Sequence, residues 1–146
     1  MANLLKWGFL GCGDVSEKKS GPAFYKNNDS TVVAVMSRNA GKANDFANRH
    51  GIPKSYDKAA DLIRDPEVQA VYIATPPASH LPLALECADA GKPVYIEKPM
   101  ARSYDECLTI LQAFREKGIP LYVAYYRRAL PKFHLIKAML NAHAIG

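Results

Sequence analysis

The sequence predicts an α/β fold: a doubly wound parallel sheet, built as one domain with helices on both faces. Three observations predict it. Five short apolar runs recur along the chain, separated by longer segments that carry helix-capping and helix-stopping residues. The runs do not alternate apolar with polar residues, so both faces of each strand need cover, as in a parallel sheet between helix layers. The 146 residues are enough for one ordinary domain with a buried core.

The first run, Trp7-Gly8-Phe9-Leu10, ends in the glycine turn Gly11-Cys12-Gly13. Gly21-Pro22 interrupts the helix that should follow, which is expected to kink or restart at Pro22. Thr31–Met36, rich in β-branched residues, forms the second strand. Asn39 is placed to cap a helix running to His50, with Gly51 and Pro53 ending it. Asp57 caps a shorter helix that stops before Asp65-Pro66, and Gln69–Ala74 is the third strand. Ser79 precedes a helix that tolerates Pro82 in its first turn and stops at Gly91. Pro93–Ile96 is the fourth strand. Ser103-Tyr104-Asp105-Glu106 reads as a capping box opening a helix that ends at Gly118. Pro120–Ala124 is the fifth strand, and Pro131 sits near the start of a last helix through His134–Asn141. The chain carries no repeat, low-complexity segment or internal linker.

Composition narrows the function classes. The formal charge is +5, but basic residues are spread along the chain and interleaved with acids, as in Arg115-Glu116-Lys117. No basic stripe supports nucleic-acid binding. No apolar run approaches the ~20 residues of a membrane span. Met1–Lys6 lacks the pattern of a secretory signal. Three cysteines, none in a C-x-x-C pair, read as reduced thiols and point to the cytoplasm. His50, His134 and His143 show no metal-ligand grouping, and no metal site is expected.

Directly after the first strand, Gly11, Cys12, Gly13, Asp14 and Val15 have the form of a dinucleotide-binding turn. Gly11 permits the tight turn, and Gly13 lets the backbone approach a pyrophosphate held by the following N–H groups. Ser16, at the third small position, still lets a helix lie close to the strand. The sheet is therefore expected to be of the Rossmann type. At the end of the second strand an NAD site usually places an acid for the ribose 2′-hydroxyl. This chain has Ser37-Arg38, with Lys42 at i+4 from Arg38. A hydroxyl and two cations suit a 2′-phosphate, so NADP is the expected cofactor, with NAD as the alternative. A solvated basic helix start is the bland reading of the same residues.

At Ala74-Thr75-Pro76-Pro77-Ala78-Ser79-His80 and Glu97-Lys98-Pro99 the chain resembles the Gfo/Idh/MocA oxidoreductases, from about Trp7 to Gly146. The resemblance implies that Thr75, Pro76 and Pro77 line the nicotinamide-ribose side, with His80 near it. It implies that Glu97 and Lys98 contact the nicotinamide ribose and the substrate, and that the Lys98–Pro99 peptide is cis. Tyr126 and Arg127 sit where the family often has Asn-x-Arg beside the active site, Tyr126 replacing the Asn and Arg127 facing substrate. The residues agree on placement, since both motifs end strands, and ligands of such sheets bind beyond the carboxyl ends. Lys98 there is the candidate catalytic group: a cation that stabilises a developing alkoxide, or shuttles a proton if buried. A surface lysine is the alternative, and for His80 it is a capping or packing histidine.

The activity implied is NADP-dependent hydride transfer to or from a secondary alcohol or carbonyl of a sugar- or polyol-like substrate. The family continues into a second, substrate-binding domain that usually carries the oligomer interface. Residues 1–146 are thus expected to be the dinucleotide-binding domain alone, holding cofactor without full catalysis, in a protein that is a homo-oligomer at full length. Tyr125, Leu130, Phe133 and Ile136 would then be exposed unless the final helix covers the sheet. Two other readings are a non-catalytic dinucleotide-sensing domain and a methyltransferase, the latter disfavoured by Ser37-Arg38 in place of an acid.

Overall fold

A computed structural model describes residues 4–144. Six parallel strands form one sheet: β1 (Leu5–Leu10), β2 (Ser30–Met36), β3 (Lys54–Tyr56), β4 (Ala70–Ile73), β5 (Val94–Ile96) and β6 (Leu121–Val123). Their spatial order is β3-β2-β1-β4-β5-β6, the doubly wound order of a Rossmann sheet. The connections carry α1 (Gly21–Lys26), α2 (Ala40–His50), α3 (Ala59–Arg64), α4 (His80–Asp89) and α5 (Tyr104–Glu116), with α6 (Pro131–Asn141) closing the described chain.

The continuous apolar runs do what a two-faced sheet requires. Successive residues point to opposite faces. Leu10, Ile73 and Ile96 pack with Leu62, Cys87, Ile110 and Phe114 under α3, α4 and α5. Phe9, Val35 and Tyr72 pack with Phe46 and Ala47 under α2. Phe24 of α1 completes that second layer, its ring edge-on to Phe9 at 5.0 Å between centroids.

Cover is uneven. Beyond α1, the same face of β5 and β6 is open, leaving a groove of about 1480 Å³ lined in part by Trp7, Phe24, Tyr95, Tyr122 and Tyr125. Every residue of α6 is exposed, so α6 does not cover it. Tyr125, Phe133 and Ile136 are exposed, and Leu130 is half-buried.

Several local expectations need correcting. β3 falls in no predicted strand: it is short, half-buried throughout and carries lysine, serine and tyrosine at the sheet edge. The cap position of α3 is Lys58, not Asp57, and no side chain caps it. Ser79 does precede α4, as expected, although its side chain makes no cap hydrogen bond. In the capping box, Ser103 Oγ accepts from the Glu106 N–H, but Glu106 reaches back to the N–H of Arg102 instead of Ser103. The interrupted first helix is a π turn (Val15–Lys19) followed by a restart at Gly21, one residue before Pro22. A β-carbon on Gly21 would lie 1.8 Å from the Ser16 carbonyl oxygen, so only glycine allows that break.

Candidate functional site

The carboxyl ends of β1, β2, β4, β5 and β6 open on one edge of the sheet, laced by hydrogen bonds that continue past the strands. Gly11 N–H donates to Met36 O, Ala74 N–H to Leu10 O, Glu97 N–H to Ile73 O and Ala124 N–H to Ile96 O. Five loops are thereby held side by side. Every motif of the sequence lies on one of them.

The turn after β1 needs its first glycine. Gly11 has φ +116°, and a β-carbon there would meet Ala74 O at 2.8 Å. Gly13 has open space where a side chain would stand. Ser16 Oγ donates to Gly11 O at 2.8 Å, closing the turn beneath the π turn. The Cys12, Gly13 and Asp14 N–H groups make no hydrogen bond among the described residues. Cys12 turns its side chain inward, Sγ 3.5 Å from Met36 O, and burial pushes the thiol up to about 11. Behind the turn, Glu17 accepts from Arg49 Nη1 at 2.6 Å and Nη2 at 3.0 Å, with His50 Nε2 at 2.8 Å. Those donors, the Arg49 guanidinium first, hold the Glu17 carboxyl down at about 2.

At the end of β2, Ser37 Oγ accepts from the Asn39 N–H, and Asn39 Oδ1 caps α2 through the Lys42 N–H at 3.0 Å. The Arg38 and Lys42 side chains are exposed, and neither forms an ion pair among the described residues. The first turn of α2 carries no acid.

After β4, Thr75 Oγ1 is buried without a hydrogen-bond partner, beside the Gly11 turn. Pro76 is exposed, and Pro77–Ser79 form a single 3₁₀ turn. His80 is 1% exposed, and its ring faces main-chain oxygens: Nε2 lies 2.8 Å from Thr75 O, and Nδ1 3.0 Å from Pro99 O. Of its two readings, packing describes that geometry. His80 clamps the loop after β4 to the loop after β5.

After β5 the Lys98–Pro99 peptide is cis. Glu97 is 9% exposed, and its Oε1 accepts from Tyr72 Oη at 2.7 Å and from Ser20 Oγ at 3.0 Å. Its Oε2 accepts from the Lys98 N–H at 3.2 Å. The Lys98 side chain is exposed. Glu97 and Lys98 border the open groove together with Val15, Ser20, Tyr126 and Arg127. Tyr126 and Arg127 lie in an exposed 3₁₀ turn after β6. Sequence reasoning missed Ser20 and Tyr72. The available signal was a phenol hydroxyl in a strand where every side chain is buried, since such a hydroxyl needs a partner.

A turn with free N–H groups and a residue without a side chain is shaped for an anion to approach the backbone. The orphaned Thr75 hydroxyl adds a polar group without a partner on the neighbouring loop. The arrangement fits a dinucleotide lying across the strand ends. Among the described residues, no group of three or more His, Cys, Asp or Glu side chains could hold a metal ion. No helix there is long and apolar enough to cross a membrane.

Residues 5–125 match the family described as oxidoreductase family, NAD-binding Rossmann fold. The whole chain is 48% identical over 146 residues to 46% of an oxidoreductase from Formosa agariphila. Among solved structures, a 3-ketoreductase from Actinomadura kijaniata in complex with NADP and TDP-benzene superimposes with a TM-score of 0.91. It is 26% identical, over 99% of this chain and 44% of that one. An oxidoreductase from Agrobacterium radiobacter in complex with NAD+, L-tartaric acid and magnesium gives 0.87 at 27% identity, over 97% of this chain and 41% of that one. The chain spans less than half the length of these relatives.

Proposed function

The chain belongs to the Gfo/Idh/MocA oxidoreductases through their NAD-binding Rossmann domain, and from that premise we propose that it is the cofactor-binding part of an NADP-preferring dehydrogenase. Its substrate is a secondary alcohol or carbonyl on a sugar- or polyol-like molecule. The relatives hold either NADP or NAD+, so likeness alone does not choose the cofactor. The observation that carries the choice is the end of β2: exposed, unpaired Arg38 and Lys42 beside Ser37, with no carboxylate for a ribose 2′-hydroxyl.

The Gly11–Val15 turn would receive the pyrophosphate on its free N–H groups, with Arg38 and Lys42 taking the 2′-phosphate. Thr75 and Glu97 would hold the nicotinamide ribose between them, Pro76 and Pro77 forming the wall of that side. When bound, the nicotinamide supplies the hydride-transfer chemistry. Lys98 would stabilise negative charge on the reacting oxygen, and Tyr126 and Arg127, which line the same groove, would meet the substrate. His80 acts through the two loops it joins. Full catalysis is proposed to need residues that the longer relatives carry. The three free cysteines suit a reducing, cytoplasmic setting.

The test is a titration with NADPH and NADH, read by nicotinamide fluorescence. NADPH binds about tenfold tighter, a difference of about 1.4 kcal/mol, and rising salt narrows the gap. Arg38→Ala weakens NADPH and leaves NADH unchanged. Equal affinities in the wild type contradict the 2′-phosphate assignment.

A further inference from the structure

Glu97 is a buried carboxylate at the mouth of the open groove, and its orientation is set by two residues that no motif includes. Tyr72 lies in the middle of β4 and is wholly buried, its ring edge-on to Phe9 and within 4.8 Å of Phe24 between centroids. Those contacts fix the ring, so its hydroxyl can point in only one direction, toward Glu97 Oε1 at 2.7 Å. Ser20 Oγ donates to the same oxygen at 3.0 Å. It stands at the break between the π turn and α1, where the chain is so tight that only Gly21 fits next to it. Two fixed donors on one oxygen leave the carboxyl group a single orientation. Oε1 is consumed, and Oε2, bonded only to the Lys98 N–H, keeps acceptor capacity in a residue that lines the groove.

We infer that Tyr72 and Ser20 are positioning residues, which hold Glu97 Oε2 as the acceptor for a hydroxyl of the nicotinamide ribose. The inference rests on the cofactor reading above and deepens it. Ser20 follows directly on the phosphate turn, whereas Glu97 follows β5. The triad therefore ties the segment that receives the pyrophosphate to the one that meets the ribose. A ribose hydroxyl donating to Oε2 then finds its acceptor already oriented, with no rotamer left to freeze on binding.

The test separates positioning from bulk packing. Wild type, Tyr72→Phe, Ser20→Ala and Glu97→Gln are titrated with whichever of NADPH and NADH the wild type binds more tightly. Each is also titrated with the matching nucleotide that lacks the nicotinamide ribose, adenosine 2′,5′-bisphosphate or ADP. Tyr72→Phe keeps the ring and removes only the hydroxyl. It should weaken the dinucleotide about tenfold and leave the shorter nucleotide within about twofold. Ser20→Ala, at a half-buried site with less packing at stake, should do the same at about threefold. Neither change should weaken the dinucleotide further when Glu97 is already Gln, because the group they orient has gone. Unchanged dinucleotide affinity in both variants overturns the inference, as does equal weakening of both ligands. If the wild type binds neither dinucleotide, the cofactor reading itself falls and takes the inference with it.

Discussion

Glu17→Gln tests how the phosphate turn is anchored. The Glu17 carboxylate sits on the π turn and takes two hydrogen bonds from Arg49 and one contact from His50, at the far end of α2. The Arg49 donors, with His50, lower its pKa from 4.5 to about 2. That shift sets a ceiling of about 3 kcal/mol on the stability linked to ionisation. Arg49 is half exposed, and solvent screening reduces the contribution to about 1–2 kcal/mol. The sign follows from the direction of the shift. A carboxyl whose folded pKa is lowered contributes fully above the unfolded value of 4.5, and the contribution fades as pH falls toward about 2. Urea unfolding of wild type and Glu17→Gln should differ by about 1–2 kcal/mol at pH 7, and the difference should shrink steadily from about pH 4.5 toward pH 2. A difference that stays constant across that range would refute the ionic origin of the anchor.

Two further outcomes follow from the geometry. Gly11→Ala should destabilise the fold by about 1–3 kcal/mol, measured by urea unfolding. It should also abolish dinucleotide binding, because φ +116° and the approach to Ala74 O leave no room for a β-carbon. The open face should make the chain self-associate: Tyr122, Tyr125, Leu135, Ile136 and Leu140 are all exposed, and contiguous apolar patches above a few hundred Å² seek partners. Light scattering should show mass rising with concentration, and Ile136→Glu should reduce it; a monomer at high concentration contradicts this.

What the sequence made legible was whatever a local pattern can encode. The apolar runs located five of the six strands, and Asn39, Ser103 and Gly51 marked helix ends that the backbone respects. Gly21-Pro22 announced the broken first helix, although not its π geometry. β3 escaped because a short polar edge strand pairs with one neighbour and needs no apolar run. Asp57 looked like a cap by residue type, but the helix starts one residue later than that cap requires. That α6 forms is local; that it leaves the sheet uncovered is tertiary. The glycine turn and both loop motifs were readable because each is contiguous. The bonds from Tyr72 and Ser20 to Glu97 were not, since they span 25 and 77 residues and exist only once the sheet is assembled.

The central claim is that a nicotinamide dinucleotide lies across the ends of β1, β2, β4 and β5, with its pyrophosphate on the Gly11–Val15 turn. Amide ¹H–¹⁵N spectra of the chain during NADPH titration test it most directly. Saturable shifts should concentrate at Cys12, Gly13, Asp14 and Val15, at Ser37 and Arg38, at Thr75 and at Glu97 and Lys98. The amides of α6 and of the amino-terminal strand ends should stay still. Shifts confined to the open face of β5 and β6, or none at millimolar NADPH and NADH, would contradict it.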